Sequence, residues 1–131
     1  MSKLLINEPP LQVLPTLATC VGLNEAIFLQ QLHYLSQLPN FGREDNGRKW
    51  VRMTLGEWLE HFPFWSKAAL RRLLKNLNQD GLVSDRDDLN KHSYDQTKWY
   101  AINYKALNKV SKPVPRVEKI TEKRLQAIQE Y

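Results

Sequence analysis

One stretch of this sequence concentrates side chains that can hydrogen-bond a polyanion. Between Ser66 and Asp80, Lys67, Arg71, Arg72, Lys75, Asn76 and Gln79 supply ammonium, guanidinium and amide donors, and no carboxylate interrupts them. Such groups bond phosphate oxygens, guanine N7 and O6, and adenine N6 and N7. At about 100° per residue, Leu70, Leu73, Leu74 and Leu77 fall in one stripe that must face a core. Ala68, Arg72, Lys75 and Gln79 then lie opposite, flanked by Arg71 and Asn76. The small Ala68 lets the backbone approach a groove closely. The expected DNA-contact set on this helix is Ser66, Lys67, Ala68, Arg71, Arg72, Lys75, Asn76 and Gln79. Ser66, Lys67, Arg71 and Arg72 rank first, because the N-terminal part of the second helix of a helix-turn-helix enters the major groove. A surface helix that only solvates itself usually mixes acids among its bases, and this one does not.

Lys91 and His92 are a weaker second candidate, at the tip of an expected hairpin. There Asp85, Asp87, Asp88 and Asp95 outnumber Arg86, Lys91 and Lys98, so the average field should repel DNA. Other chemistry finds no foothold. His33, His61 and His92 lie far apart, without the spacing of a metal pair, and neither a glycine-rich phosphate loop nor a nucleophile elbow is present. The expectation is no catalytic residue, no metal and no cofactor. Trp50, Trp58, Trp65 and Trp99 invite a base-stacking reading, but Trp58 beside Leu55, Leu59 and Phe62, and Trp65 as a staple on Leu70, have core roles without a ligand. Cys20, the one cysteine, is expected to be buried on a helix.

Local signals define the elements that position these groups. Pro9 and Pro10 forbid a helix, and Leu11, Val13 and Leu14 favour a short strand. Pro15 then opens a helix that ends at Gly22. Asn24 is read as the N-cap of a second helix, Glu25–Gln37, with Ile27, Phe28, Leu32, Leu35 and Leu38 on its core face. The turn-rich PNFGREDNG leads to a strand over Lys49–Met53. Thr54 and Glu57 form a capping box for a third helix, which Pro63 stops. Ser66 caps the fourth helix, which runs to about Asp80 and ends at Gly81. Strands over Leu82–Asp85 and Lys98–Asn103 make a hairpin with a long tip, and Tyr104–Asn108 is one helical turn. Lys112–Arg116 reads as a stiff linker and Glu118–Glu130 as a helix. The order, helix, helix, strand, helix, turn, helix, hairpin, predicts a mainly α winged helix-turn-helix with a small β-hairpin. Residues 1–108 would be the DNA-binding domain and 109–131 a basic linker with a C-terminal helix.

The chain's 131 residues have room for one such core, and 42% hydrophobic with 25% charged residues is a globular composition. No apolar run is long enough for a membrane span and the N-terminus lacks a signal-peptide layout, so a cytoplasmic protein is expected. The net charge of +5 favours a polyanionic partner. From residue 105 onward seven bases face three acids, so most of that charge lies in the tail.

The runs GLNEAIFLQQLHY, FPFWS and TKWY, within a match over residues 9 to 107, resemble the N-terminal winged-helix domain of replication initiation proteins from bacteriophages and mobile elements. That family is akin to the replisome organisers and DnaD-like primosome proteins. The resemblance implies binding of double-stranded origin DNA, followed by recruitment of helicase-loading or primosome proteins through a separate C-terminal region. The residues after Ala106 are too few for such a region, so the expectation here is the DNA-binding module. Two-fold symmetric sites, common for helix-turn-helix proteins, suggest a homodimer. The rival readings are a transcriptional repressor of the same fold and a protein–protein adaptor.

Overall fold

The computed structural model describes residues 10–110, so the expected linker and helix beyond residue 110 lie outside the described residues. Five helices and four strands follow in the order α1 Pro15–Val21, α2 Leu23–Gln37, β1 Gly42–Asp45, β2 Arg48–Met53, α3 Leu55–His61, α4 Lys67–Gln79, β3 Val83–Arg86, β4 Lys98–Ile102 and α5 Tyr104–Val110. The strands form one antiparallel sheet in the order β1-β2-β4-β3. This is a mixed α and β domain, in which the hairpin and the expected strand over Lys49–Met53 join one further strand in a single sheet.

The extra strand, β1, comes from the segment read as a turn. Asn46 and Gly47 both have positive φ, 52° and 77°, the backbone of a two-residue turn whose twist matches paired strands. Tight closure places Arg43 opposite Trp50 and Asp45 opposite Arg48, and a strand forms without apolar alternation. The expected strand at Leu11–Leu14 does not form. Leu14 is extended, with φ −96° and ψ 122°, but this segment joins no sheet, whose edges are β1 and β3.

Three further differences concern the helices. Gly22, at φ 109°, closes α1 and also serves as N-cap of α2, leaving Asn24 inside the helix rather than capping it. A side chain at 22 would meet both that φ and the Glu25 carboxylate, which folds back over the position. Helix α5 runs to Val110, past the single turn expected. Cys20 is half-buried rather than buried, because α1 has no buried residue.

The capping signals otherwise act as read. Thr54 Oγ1 accepts from the Glu57 amide and Glu57 Oε1 from the Thr54 amide, each at 3.1 Å. Helix α4 ends where the Gly81 amide donates to the Asn78 carbonyl and the Leu82 amide to the Leu77 carbonyl, at 3.1 and 3.0 Å. That pair of bonds satisfies the last carbonyls of the helix. Leu70, Leu73 and Leu77 join Phe28, Leu29, Leu32, Trp58, Phe62, Val51, Tyr100 and Ile102 in one core, with Leu74 half-buried at its edge. Rings pack at its centre, Phe28 on Trp58 at 4.8 Å and Trp58 edge-on to Tyr100 at 5.7 Å. Trp65 packs on Phe62 and Phe64, at 4.6 and 5.2 Å.

Candidate functional site

Burial of the leucine stripe decides which side chains α4 offers to solvent. Lys67, Ala68, Arg71, Arg72, Lys75, Asn76, Asn78 and Gln79 are all exposed. Phe62 to Trp65 separate α3 from α4, and Ser66 starts the second helix by accepting from the Ala69 amide at 3.1 Å. Removing that acceptor in Ser66→Ala should cost about 1 kcal/mol of stability, read as a lower urea midpoint with an unchanged m-value. An unchanged midpoint would mean that the cap bond contributes nothing measurable.

The exposed face divides along two edges. Arg71, Lys75, Asn78 and Gln79 border a cleft of about 880 Å³ between α4 and the root of the β3–β4 hairpin. Met53, Leu55, Leu74 and Tyr100 supply apolar lining, and Asp85, Gln96, Thr97 and Lys98 stand on the hairpin side. Lys67, Ala68, Arg72 and Asn76 do not line that cleft and form the open edge of the helix. Seven of the eight α4 candidates are thus exposed side chains of the helix itself, with Ser66 as its cap. Lys91 and His92 lie apart from them, in the β3–β4 loop.

The sequence alone did not single out Asn78, Gln96 and Thr97, and Lys98 entered only in the charge of the hairpin. Asn78 follows Arg71 and Lys75 along one edge of the helix, a spacing legible in advance. The hairpin residues reach the cleft only through strand pairing, which no local pattern reports. Asn78 donates to the Val83 carbonyl and to Asp85 at 3.4 and 3.3 Å, while Lys98 pairs with Asp85 at 3.0 Å. Burial, with the Asp85 charge second, pushes the Tyr100 hydroxyl up to about 12, so this ring stays neutral beside the cleft.

The hairpin's carboxylates are less free than their number suggests. Arg86 pairs with Asp45 at 2.6 Å and also with Asp88, and Arg52 pairs with Asp95 at 2.6 Å. Both cations belong to the outer face of the sheet, where Arg86 lies over Trp50 at 5.1 Å and Arg43 over Trp99 at 5.7 Å. Trp50 is accordingly buried and Trp99 half-buried, each in use as a support for arginine rather than open to a base. Of the hairpin's carboxylates, Asp95 is thus paired by Arg52 of β2, Asp88 by Arg86 of β3 and Asp85 by Lys98, so the acidic field expected there is partly offset.

Thr97, through its side chain first and then its amide, and next the Arg52 guanidinium hold the Asp95 carboxyl down to about 2. Because the folded value lies below the ordinary 3.8, the contribution of this contact is complete above pH 3.8 and lost as pH falls through about 2. A carboxyl carbon titration by NMR should place the Asp95 midpoint near 2. Arg52→Ala should move it toward 3.8. A midpoint that is already ordinary in the unsubstituted protein would remove the contact from the loop's support.

Among the described residues no group of three or more His, Cys, Asp and Glu could hold a metal ion, and no helix is long and apolar enough to cross a membrane. His33 hydrogen-bonds Tyr104 at 2.7 Å and His61 hydrogen-bonds Gln31 at 3.2 Å, both contacts within the fold. Comparison of the chain with protein families, with curated proteins and with solved structures finds no match.

Proposed function

We propose that this domain is a winged helix-turn-helix module that binds double-stranded DNA, with α4 in the major groove and the β3–β4 hairpin as its wing. The observation that carries the reading is the acid-free outer face of α4, all of it exposed and capped at its leading end. An α-helix with its side chains is about 10–12 Å across, a fit to a major groove about 12 Å wide. Lys67, Arg71, Arg72 and Lys75 supply phosphate or guanine contacts, and Asn76 and Gln79 can pair with adenine. Arg71 and Lys75 face the hairpin across the cleft, so a backbone phosphate passing between helix and wing would meet the cations of α4, while Lys98 on the hairpin side is paired with Asp85.

A gel mobility shift with random duplex at low salt, repeated at rising salt, tests this. Binding whose logarithmic affinity falls linearly with the logarithm of salt is expected. No shift at low salt sinks the reading and leaves a protein–protein adaptor in its place. The resemblance to phage and mobile-element initiators extends the proposal to origin DNA. Mapping bound sites on the protein's own element separates the two roles: iterated sites indicate an origin, and a lone promoter operator indicates a repressor.

A further inference from the structure

At 79% exposure, Tyr94 is the most exposed large apolar side chain among the described residues, yet the loop that carries it is heavily braced. The Asn90 amide nitrogen donates to the Asp95 and Thr97 carbonyls at 2.8 and 2.7 Å, and its oxygen accepts from Trp99 Nε1 at 2.7 Å and Arg52 Nε at 3.3 Å. Asp95 accepts from the Thr97 amide at 3.0 Å and from Arg52, while Arg43 holds the Leu89 carbonyl at 3.2 Å. On this support the Tyr94 ring lies nearly parallel to His92, with centroids 5.0 Å apart and an interplanar angle of 10°. No other ring contacts Tyr94 among the described residues. Lys91 precedes His92 in the chain and is exposed.

A braced loop that keeps a tyrosine in water forgoes the gain of burying it, which makes the ring's open face the feature to explain. A flat face next to a cation suits a nucleobase and its phosphate, because every base has a π-face and stacking on aromatic side chains tolerates sequence. Bases within an intact duplex have both faces covered by their neighbours, so the matching ligand is an unpaired one. A protein hot spot sits in a desolvated apolar patch, whereas Lys91, Ser93, Asp87 and Asp88 around this loop are exposed and polar. The strands at the root of the same loop border the α4 cleft, which joins the tip to the proposed DNA surface.

We infer that the hairpin tip is a stacking site for one unpaired nucleobase, formed by Tyr94 on His92 with Lys91 at the adjoining phosphate. Resting on the duplex-binding reading for its context, the site would let the protein favour DNA whose strands have parted next to the duplex it grips. Fluorescence anisotropy on a plain duplex, the same duplex with a short single-stranded thymidine tail, and oligothymidine alone tests it. The tail should strengthen binding roughly tenfold. Tyr94→Ala should abolish that gain without altering plain-duplex affinity, and Tyr94→Phe should retain it. A tail that adds nothing while the duplex is bound, or a gain that survives Tyr94→Ala, overturns the site and leaves the tip as a contact for another protein. If the plain duplex is not bound but oligothymidine is, in a Tyr94-dependent way, the duplex reading fails and the stacking site stands. If neither is bound, both fall.

Discussion

Leu77→Ala should lower the stability of the domain by roughly 2–5 kcal/mol, the range for removing a fully buried leucine and leaving part of its volume empty. Leu77 is 0% exposed and packs in the core with Leu70 and Leu73, beneath the face proposed to meet DNA. Its backbone carbonyl also closes the end of α4 by accepting from Leu82, a bond that the substitution leaves in place, so the loss should come from packing alone. Asn76→Ala, one residue earlier and exposed, should change stability by less than about 0.5 kcal/mol. Urea unfolding of the pair provides the measurement. Equal midpoints would rotate the helix away from the core and undo the assignment of its outer face.

For DNA, the largest expected effect is that of Arg72→Ala. Arg72 stands on the open edge of α4, in its second turn beyond the Ser66 cap, in the N-terminal half where a major-groove helix meets base edges. A bidentate guanidinium–guanine contact is worth about 1–3 kcal/mol of discrimination, so affinity for the preferred duplex should fall by that amount and nonspecific affinity far less. Lys75 borders the cleft toward the hairpin, in the position for a backbone phosphate. Its replacement by Ala should weaken every duplex by a similar factor and reduce the salt slope by about one. The two variants must differ in specificity as well as strength. Titrating each with preferred and scrambled duplexes decides the matter. Intact binding by both, in folded proteins, would mean that α4 is not the reader.

Much of what places this candidate site was legible along the chain, because it depends on neighbours within one turn. The Thr54 and Ser66 caps, the stop at Pro63, the glycine after α4 and the leucine stripe are all local statements, and each acts in the structure as its residue types dictate. The exposed basic face of α4 follows from the stripe, since a helix that buries one side must expose the other. Asn24 misled because capping propensity is only a preference. Gly22, one residue before α2, could adopt the φ of 109° that lets one residue end α1 and begin α2.

Tertiary structure alone decided the rest. Gly42–Asp45 has no strand-like alternation and becomes a strand because the Asn46–Gly47 turn returns the chain onto β2. Pairing of β2 with β4 then brings Arg52 across from Trp99. That register puts Arg52, from a distant segment, against the Asp95 carboxylate of the hairpin and helps turn an acidic run into a braced loop. Charge summed along a segment cannot show this, because a carboxylate's field depends on the cation beside it in space. The sequence therefore determined which helix could face a polyanion. Only the fold determined what stands beside that helix.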